Sequence, residues 1–317
     1  MSPIEFKGGE FAFIDWIRRQ TAEAAGRLIV GPGDDACVID PGPDARVALT
    51  TDMLLEGTHF TLSEVTPAEL GHKAIGVSLS DVAAMGMTPI ACVVAVGLPD
   101  ATDRAFTEAM YHGMREIADR FDVSIAGGDA TSWRASQVVV CVTALGRSTS
   151  TAPVLRSGAR ADDVIVVTGA LGGSSLGRHV RFIPRVDESL AICRDFSPHA
   201  MIDISDGLSS DLAHVLVESE VGAVIDAQQV PVSGDAVAAS RADGRSPLTH
   251  ALDDGEDFEL LVTLDAADAE RLVADAPFET KVTIVGRIIE GDEMRLREVD
   301  GGERVIQPGG YEHLRGD

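Results

Sequence analysis

Apolar positions along the chain alternate between a helical spacing and short extended runs. Thr66-Pro67-Ala68-Glu69 combines a capping box with a proline in the first turn, which is typical of a helix start. Runs rich in valine and isoleucine between the helical stretches predict strands. The predicted helices span residues 11–24, 67–85, 103–120, 171–180, 207–218 and 266–274, and the predicted strands span residues 46–50, 89–98, 123–126, 137–145, 164–167, 201–204, 258–264 and 283–289.

One segment interrupts this alternation. Residues 147–163 are polar and small, rich in Ser, Thr, Gly, Pro and Arg, and the alternation restarts beyond them. A composition of this kind is typical of a boundary between two folded units. We therefore expect an α/β (α+β) protein with two domains, which comprise residues 1–150 and residues 151–317.

The charge balance limits the classes of molecule that the protein can bind. The 317 residues include 26 Lys or Arg and 51 Asp or Glu, so the formal net charge is −25. Nucleic acids and anionic membranes require a basic face, and we expect neither as a partner. Anionic small molecules are still compatible with this charge as ligands, because bound metal ions reverse the sign of the local charge. Lysine is nearly absent (Lys7, Lys73 and Lys281), so an anion would rely on arginine, backbone N–H groups or metals.

Cysteine usage and hydropathy indicate the compartment. Cys37, Cys92, Cys141 and Cys193 are widely spaced among apolar neighbours, which predicts buried free thiols rather than disulfides or a zinc site. The chain begins without a charged-then-apolar signal segment. Its longest apolar runs, such as residues 90–98, are too short to cross a bilayer. We expect a cytoplasmic protein.

Acidic side chains follow several predicted strands. Thr50-Thr51-Asp52 and Gly127-Gly128-Asp129 each come after an apolar run, and Asp203 and Asp206 repeat the pattern in the second half. Ligands of α/β sheets bind at the carboxyl ends of strands, which favours a shared site. The alternative is that each acid caps the following helix, and Asp206 ahead of a predicted helix fits that role. Recurrence at several strands favours the ligand site.

Asp81 adds to this pattern. On the predicted helix it shares one face with Leu70, Ala74, Val77 and Met85, so its carboxylate would be desolvated. A buried salt bridge with an arginine is one explanation, and a metal ion is the other. The other acids and the absence of clustered His or Cys favour a hard ion such as Mg²⁺.

Three further segments are candidates for binding. The glycine-rich residues 169–177 follow a predicted strand and either cradle phosphate or form a tight turn. His59, Glu256 and Asp257 lie in polar segments next to apolar runs. The chain has no Walker-type segment and no kinase-type catalytic loop, so a nucleotide enzyme here would use another design.

Taken together, these segments resemble the thiamine-monophosphate kinases, a family of the aminoimidazole ribonucleotide synthetase-like superfamily. The resemblance covers nearly the whole chain, and its ordered motifs form a strong signal although each is unspecific alone. The motifs are Gly31-Pro32-Gly33-Asp34-Asp35, Thr50-Thr51-Asp52, Gly57-Thr58-His59-Phe60, Ser78-Leu79-Ser80-Asp81, Gly127-Gly128-Asp129, Gly146-Arg147, Asp203-Ile204-Ser205-Asp206-Gly207, Gly255-Glu256-Asp257 and Gly310-Tyr311.

The resemblance implies a two-domain PurM-like fold, with an N-terminal mixed sheet whose helix-bearing domain forms a homodimer and a C-terminal α/β domain. It implies direct in-line transfer of phosphate from ATP to thiamine monophosphate, assisted by several Mg²⁺ ions and without an acid–base or nucleophilic side chain. The implied metal ligands are Asp34, Thr50, Thr51, Asp52, Asp81, Asp129, Asp203 and Asp206. The implied ATP contacts are Tyr111, Gly128, Asp129, Arg147 and Ser205, and the implied substrate contacts are His59, Glu256 and Tyr311.

Some positions depart from the family pattern, and alternatives stay open. Gly173 stands where an acid is common, which leaves the role of its loop open, and Asp254 stands where a glycine is usual. Another ATP-using member of the superfamily is the main alternative. A selenophosphate-synthesising relative should carry a reactive cysteine near its N-terminus, a hydrogenase-maturation relative should end in a cysteine, and a purine-pathway relative lacks Gly57-Thr58-His59-Phe60. A catalytically silent nucleotide- or metal-binding subunit is a further alternative, against which the intact ligand positions argue.

Overall fold

The computed structural model describes residues 28–30, 34, 37–42, 45–148 and 152–311. The helix expected over residues 11–24 lies outside these residues, as do residues 31–33 and 35 of the Gly-Asp-Asp loop.

The N-terminal half is built on a six-stranded mixed sheet. Its strands are β1 (Leu28–Val30), β2 (Cys37–Gly42), β3 (Ala45–Leu55), β4 (Thr88–Pro99), β5 (Ser124–Trp133) and β6 (Val139–Arg147). The order across the sheet is β1-β2-β3-β6-β4-β5, and only β4 and β5 run parallel. Strand β5 therefore forms one edge of the sheet.

Two helices, α1 (Pro67–Ala84) and α2 (Arg104–Arg120), cover one face of this sheet. The predicted capping box starts α1, since the Thr66 hydroxyl accepts the Glu69 backbone N–H and the Glu69 carboxylate accepts the Thr66 N–H. Two glycines let the helices touch through their backbones: a Cβ on Gly113 would lie 1.8 Å from the Ala68 carbonyl oxygen. The close contact makes α1 and α2 one packed layer.

The C-terminal half has its own seven-stranded mixed sheet. Its strands are β7 (Val164–Thr168), β8 (Ala200–Asp203), β9 (Gly222–Asp226), β10 (Leu260–Leu264), β11 (Val282–Ile289), β12 (Met294–Arg297) and β13 (Glu303–Val305), in the order β13-β12-β9-β11-β7-β10-β8. Its helices are α3 (Val186–Asp195), α4 (Leu208–Ser219), α5 (Gly234–Asp243), α6 (Pro247–Asp253) and α7 (Ala266–Asp275). Only β12 and β9 are parallel. Helix α1 also contacts β8 and α3, so it joins the two halves.

Two strands are longer than the sequence pattern predicts. Thr50, Thr51 and Asp52 lie inside β3, and Asp129 lies inside β5, so these acids do not follow a strand as expected. The ladder continues through them because β3 pairs with β6 along most of its length and β5 pairs with β4. Of the acids expected at strand ends, Asp203 is the last residue of β8 and Asp206 lies just beyond it.

The helix predicted over residues 171–180 is wrong. Only two 3₁₀ turns form there, Ser174–Leu176 and Arg178–Val180. Gly172, Gly173 and Gly177 have φ values of +86°, +71° and +124°, and this left-handed backbone cannot belong to an α-helix. Several short elements, among them β9, β12, β13, α3, α5 and α6, have no counterpart among the predicted ones.

No helix in the described part of the chain is long and apolar enough to span a membrane. Cys92 and Cys193 are buried free thiols as predicted, and burial raises the pKa of each to about 11. Cys141 departs from the prediction, since its strand leaves it half-buried. The side chain of Cys37 lies outside the described residues.

Candidate functional site

A cavity of about 760 Å³ has walls from both halves of the molecule. One wall comes from β3, the turn after it and α1, and the other comes from the loops that follow β8 and α6 and from the C-terminal segment. Six of the residues expected to bind metal, ATP or substrate line it: Asp52, His59, Ser205, Asp206, Glu256 and Tyr311. The fold thus assembles a single site from segments that are distant in sequence.

Helix α1 holds two of the predicted metal ligands through serine side chains. Ser78 Oγ donates to Asp52 Oδ2 at 2.5 Å, and Ser80 Oγ donates to Asp203 Oδ2 at 2.5 Å. Residues two positions apart on a helix point in nearly opposite directions, roughly 200° apart. The helix therefore reaches β3 on one side and β8 on the other, and it sets the separation of the two carboxylates.

Asp81 lies on the same helix, next to the first sheet. Its carboxylate accepts a hydrogen bond from the Thr50 hydroxyl. Asp81 is half-buried rather than fully desolvated, and the helix has no single apolar stripe, since it is buried around most of its circumference. The structure thus brings Thr50, Asp52 and Asp81 together between β3 and α1.

Carboxylates crowd together at the start of α4. Burial raises the pKa of Asp211 well above its usual range, and the nearby charges of Asp206 and Asp203 raise it further. Burial likewise raises the pKa of Asp52, against the lowering effect of its bond from α1. Negative charge held this closely is the arrangement that a bound cation stabilises.

Asp34 approaches the same region from the N-terminal half. Its Oδ2 accepts the Arg156 backbone N–H at 3.1 Å, and the Arg156 Nε lies 3.8 Å from its Oδ1. The charge of Arg156 also lowers the pKa of Asp211. Asp34 is therefore near the second-half carboxylates, although it is not among the residues that line the cavity.

The three predicted substrate contacts lie on different parts of the cavity wall. The Leu55 backbone N–H donates to His59 Nδ1 at 3.0 Å, which orients the imidazole ring. Glu256 adopts φ +64°, a left-handed conformation that is uncommon for a side-chain-bearing residue and typical of functional loops. The Tyr311 backbone N–H donates to the Asp206 carbonyl at 3.1 Å, which ties the C-terminal segment across the cavity.

Four predicted ATP contacts are not brought to the cavity within one chain. Tyr111 is exposed on α2, Arg147 ends β6, and Gly128 and Asp129 lie on the exposed edge strand β5. The register runs from Asp52 through β6 and β4 to Gly128, so about 14 Å, three strand spacings, separate the two. Asp129 pairs with the exposed Ala95 and therefore belongs to the open face of the sheet.

The glycine-rich loop of residues 169–177 is engaged by protein side chains. The Gly172 N–H donates to Asp257 Oδ2 at 2.8 Å, and the Gly173 N–H donates to Asp254 Oδ2 at 3.0 Å. These two donors are thus directed at carboxylates, which favours the tight turn over the phosphate cradle. A Cβ on Gly173 would lie 2.3 Å from the Asp235 carbonyl carbon, so the acid usual in the family has no room here.

Sequence reasoning missed several residues of the site. Lys73 is fully buried beside Glu256, and Arg245 and Asp253 line the cavity. Ser78 and Ser80 orient carboxylates of both halves. The motif Ser78-Leu79-Ser80-Asp81 was the available signal for the two serines, whereas nothing local marks Lys73.

The carboxylate and hydroxyl oxygens of the site are suitable ligands for Mg²⁺, but they do not form a complete coordination shell made by the protein alone. Among the described residues, no group of three or more His, Cys, Asp and Glu side chains is arranged to hold a metal. Mg²⁺ in phosphoryl-transfer sites is usually held by one or two carboxylates together with substrate phosphates and waters. Pairs such as Asp52 with Asp81 and Asp203 with Asp206 fit that requirement.

Comparison with known proteins first defines the class. The family model for the N-terminal domain of AIR synthase related protein matches residues 33–148, and the model for its C-terminal domain matches residues 176–298. The chain therefore has the two-domain PurM-like α/β fold, with one mixed sheet in each half, as the sequence resemblance implies.

Individual relatives are more specific. A thiamine-monophosphate kinase of Rhodopirellula baltica is 36% identical over 96% of this chain and 97% of its own length. One of Mycobacterium tuberculosis is 37% identical over 95% of this chain and 91% of its own length. A solved structure described as AaThiL complexed with AMPPCP and TMP has a TM-score of 0.82 and 28% identity, and covers 96% of this chain and 97% of its own. The chain belongs to the thiamine-monophosphate kinase family.

Proposed function

We propose that this protein transfers the γ-phosphoryl group of ATP to thiamine monophosphate, which yields thiamine diphosphate and ADP. The observation that carries the proposal is the cavity between the two halves of this protein, which is lined by Asp52, Ser205, Asp206, Glu256 and Tyr311. Membership of the family supports the same reaction. The relative of known structure holds AMPPCP, an ATP analogue, together with TMP, which supports the same pair of substrates here.

The reaction joins two phosphate groups, so the site must align them and offset their repulsion. A phosphate oxygen is already a competent nucleophile, and no side chain needs to activate it. The described cavity wall carries five acids and one arginine, Arg245. In such a wall, protein cations alone cannot neutralise the phosphates. Metal ions supply this positive charge when they are bound.

We propose that this chain holds several Mg²⁺ ions through oxygen ligands on both halves. The proposed ligands are Asp34, Thr50, Thr51, Asp52, Asp81, Asp129, Asp203 and Asp206. The serine and threonine hydroxyls on and around α1 support the assignment of Asp52, Asp81 and Asp203, because they orient these carboxylates without neutralising them. The protein's own part is to preset these oxygens before the phosphates arrive.

For thiamine monophosphate we propose His59, Glu256 and Tyr311 as contacts, and their common cavity supports this assignment. For ATP we propose Ser205, which lines the same cavity, with Gly128, Asp129, Arg147 and Tyr111. We also propose that residues 1–150 form the nucleotide- and metal-binding domain and residues 151–317 the second domain. Since ATP is the donor, we propose a cytoplasmic location, which cell fractionation can test.

We further propose that the protein is a homodimer formed by its N-terminal sheet. The sheet face opposite α1 exposes apolar side chains, among them Met53 at 61% and Val93 at 46% of their surface. Exposed apolar patches of this kind mark association surfaces. Asp129 lies on that same face, so a partner there would cover one of the proposed ATP contacts.

The test is direct. Purified protein with Mg²⁺ and ATP should convert thiamine monophosphate to the diphosphate, detected by product mass, and should leave thiamine and the purine-pathway amidine unchanged. Absence of the diphosphate at saturating substrate would refute the proposal. Asp52→Asn and Asp129→Asn should nearly abolish turnover with the fold intact, whereas Asp100→Asn, at an exposed turn, should retain it. Near-normal activity of Asp52→Asn or Asp129→Asn would refute the metal role of that residue.

A further inference from the structure

Lys73 is an unusual residue for its position. It lies on α1, its side chain is completely buried, and it is one of only three lysines in the chain. A buried ammonium group is unfavourable unless it is paired and fully hydrogen-bonded. Burial indeed lowers the pKa of Lys73, and the charge of Glu256 counteracts that shift. The lysine therefore has a specific partner that makes its burial possible.

The contacts of Lys73 all lead to the cavity wall. Its Nζ donates to Glu256 Oε1 at 2.5 Å and to the His59 carbonyl oxygen at 2.6 Å. Glu256 and His59 both line the cavity, one on each half of the molecule. The Lys73 side chain is fully buried, whereas 29% of the Glu256 side chain stays exposed. The ammonium group thus approaches the carboxylate from the side away from the cavity.

The loop that carries Glu256 needs such support. Glu256 at φ +64° and Phe258 at φ +51° both have left-handed backbone, which persists only when the surroundings impose it. The Glu256 N–H donates to the Ser205 carbonyl at 2.7 Å, which fixes the backbone but not the carboxylate. The described contact that orients the carboxylate is the one with Lys73.

We propose that Lys73 is a positioning residue for the substrate, acting through Glu256: its ammonium group fixes the carboxylate and offsets its charge, so that Glu256 meets the ligand as an oriented hydrogen-bond acceptor. The inference rests on the proposed function, because it takes thiamine monophosphate as the ligand at Glu256. An acceptor whose charge is already compensated favours a neutral donor, such as the amino group of the pyrimidine ring, over the cationic thiazolium ring.

The test compares Lys73→Met with Lys281→Met, a matched control at an exposed lysine outside the cavity. Loss of one charged hydrogen bond corresponds to a roughly tenfold to hundredfold change. We expect Lys73→Met to raise the KM for thiamine monophosphate by that factor and to leave the KM for ATP within about twofold, and Lys281→Met to change neither. An unchanged KM for thiamine monophosphate, or an equal rise of both, would overturn the proposal.

Because Lys73→Met leaves a carboxylate without its buried partner, this variant can fail to fold. The double variant Lys73→Met/Glu256→Gln removes both charges and serves as the second measurement. If Lys73 acts through Glu256, the double variant has the same KM for thiamine monophosphate as Glu256→Gln alone. A further rise beyond Glu256→Gln would show an independent role and overturn the proposal.

A substrate analogue provides a readout that a merely structural role would not move. Oxythiamine monophosphate carries a keto oxygen where thiamine monophosphate has the pyrimidine amino group. The wild type should discriminate against it in kcat/KM, and Glu256→Gln and Lys73→Met should reduce that discrimination at least tenfold. Unchanged discrimination in both variants would overturn the proposal. Failure of the proposed function is distinct, since the wild type would then form no thiamine diphosphate at all.

Discussion

Replacement of Arg185 by methionine should strongly destabilise the C-terminal half. The Arg185 guanidinium forms a two-pronged ion pair with Glu259, with Nε–Oε2 at 2.7 Å and a second N–O contact with Oε1 at 2.6 Å. Only 4% of the Glu259 side chain is exposed, and Thr168 Oγ1 also donates to its Oε2 at 2.7 Å. The substitution therefore leaves a buried carboxylate with a hydroxyl donor and without its cation.

The magnitude follows from this geometry. Removing one partner of a buried ion pair costs about 3–5 kcal/mol, because the remaining charge stays desolvated. At about 2–4 °C per kcal/mol for a unit of 150–250 residues, the melting temperature should fall by roughly 6–20 °C. Glu259 lies directly after the loop that carries Glu256, so the lost ion pair should also disturb that loop. Activity should therefore fall at temperatures below the global unfolding transition as well.

Thermal unfolding followed by circular dichroism measures the effect. Arg194→Met is the matched control, since Arg194 forms an ion pair with Asp195 at the same 2.6 Å but on the surface, with 66% of its side chain exposed. We expect the control to change the melting temperature little. The double variant Arg185→Met/Glu259→Gln should recover part of the loss. Equal melting temperatures for Arg185→Met and Arg194→Met would refute the argument from burial.

Three other predictions follow from single features of the fold. Gly113→Ala should lower the free energy of unfolding in denaturant by about 1–3 kcal/mol, because the new Cβ would meet a backbone carbonyl of the facing helix. Gly234→Ala, with open space around it, should not have this effect. Equal effects of the two substitutions would contradict the helix contact. Burial raises the pKa of Asp257 from 3.8 to about 7, so the folded protein binds this proton more tightly than the unfolded chain does, and the stability that the proton provides is lost as the pH rises between these values. The wild type should therefore lose stability relative to Asp257→Asn between pH 5 and pH 7.5. A constant difference in stability between the two proteins would contradict the shift. If the proposed homodimer forms through the open face of the N-terminal sheet, Met53→Arg should give monomers in light scattering and should speed the reaction of Cys141 with a thiol reagent. A mass equal to that of a dimeric wild type would exclude this face as the dimer surface.

The elements that the sequence predicts well are those with local causes. The capping box at Thr66 sets the start of α1, and the helical spacing of apolar residues predicts α2, because both effects act within one or two turns. The ordered acidic motifs also point to the family, and full-length relatives that are 36–37% identical confirm it. None of these inferences requires knowledge of how the two sheets meet.

Other features depend on pairings that no local window contains. β3 runs past Asp52 because β6, about ninety residues later, offers it a ladder, and the sequence window around Asp52 shows only an apparent strand end. The same pairing decides that Asp52 faces α1 while the neighbouring Met53 faces outward. Asp203 thus lies at a strand end as expected, whereas Asp52 and Asp129 lie within their strands.

Composition and local spacing set the chemistry of the site, namely acidic oxygens, glycine turns and very few lysines. Which of these groups meet depends on the tertiary structure. Lys73 and Glu256 are 183 positions apart, yet their side chains form an ion pair of 2.5 Å beside the cavity. Helix α1 brings them together because it is buried between the two halves, and a charge enters such an interior only where the fold supplies its partner.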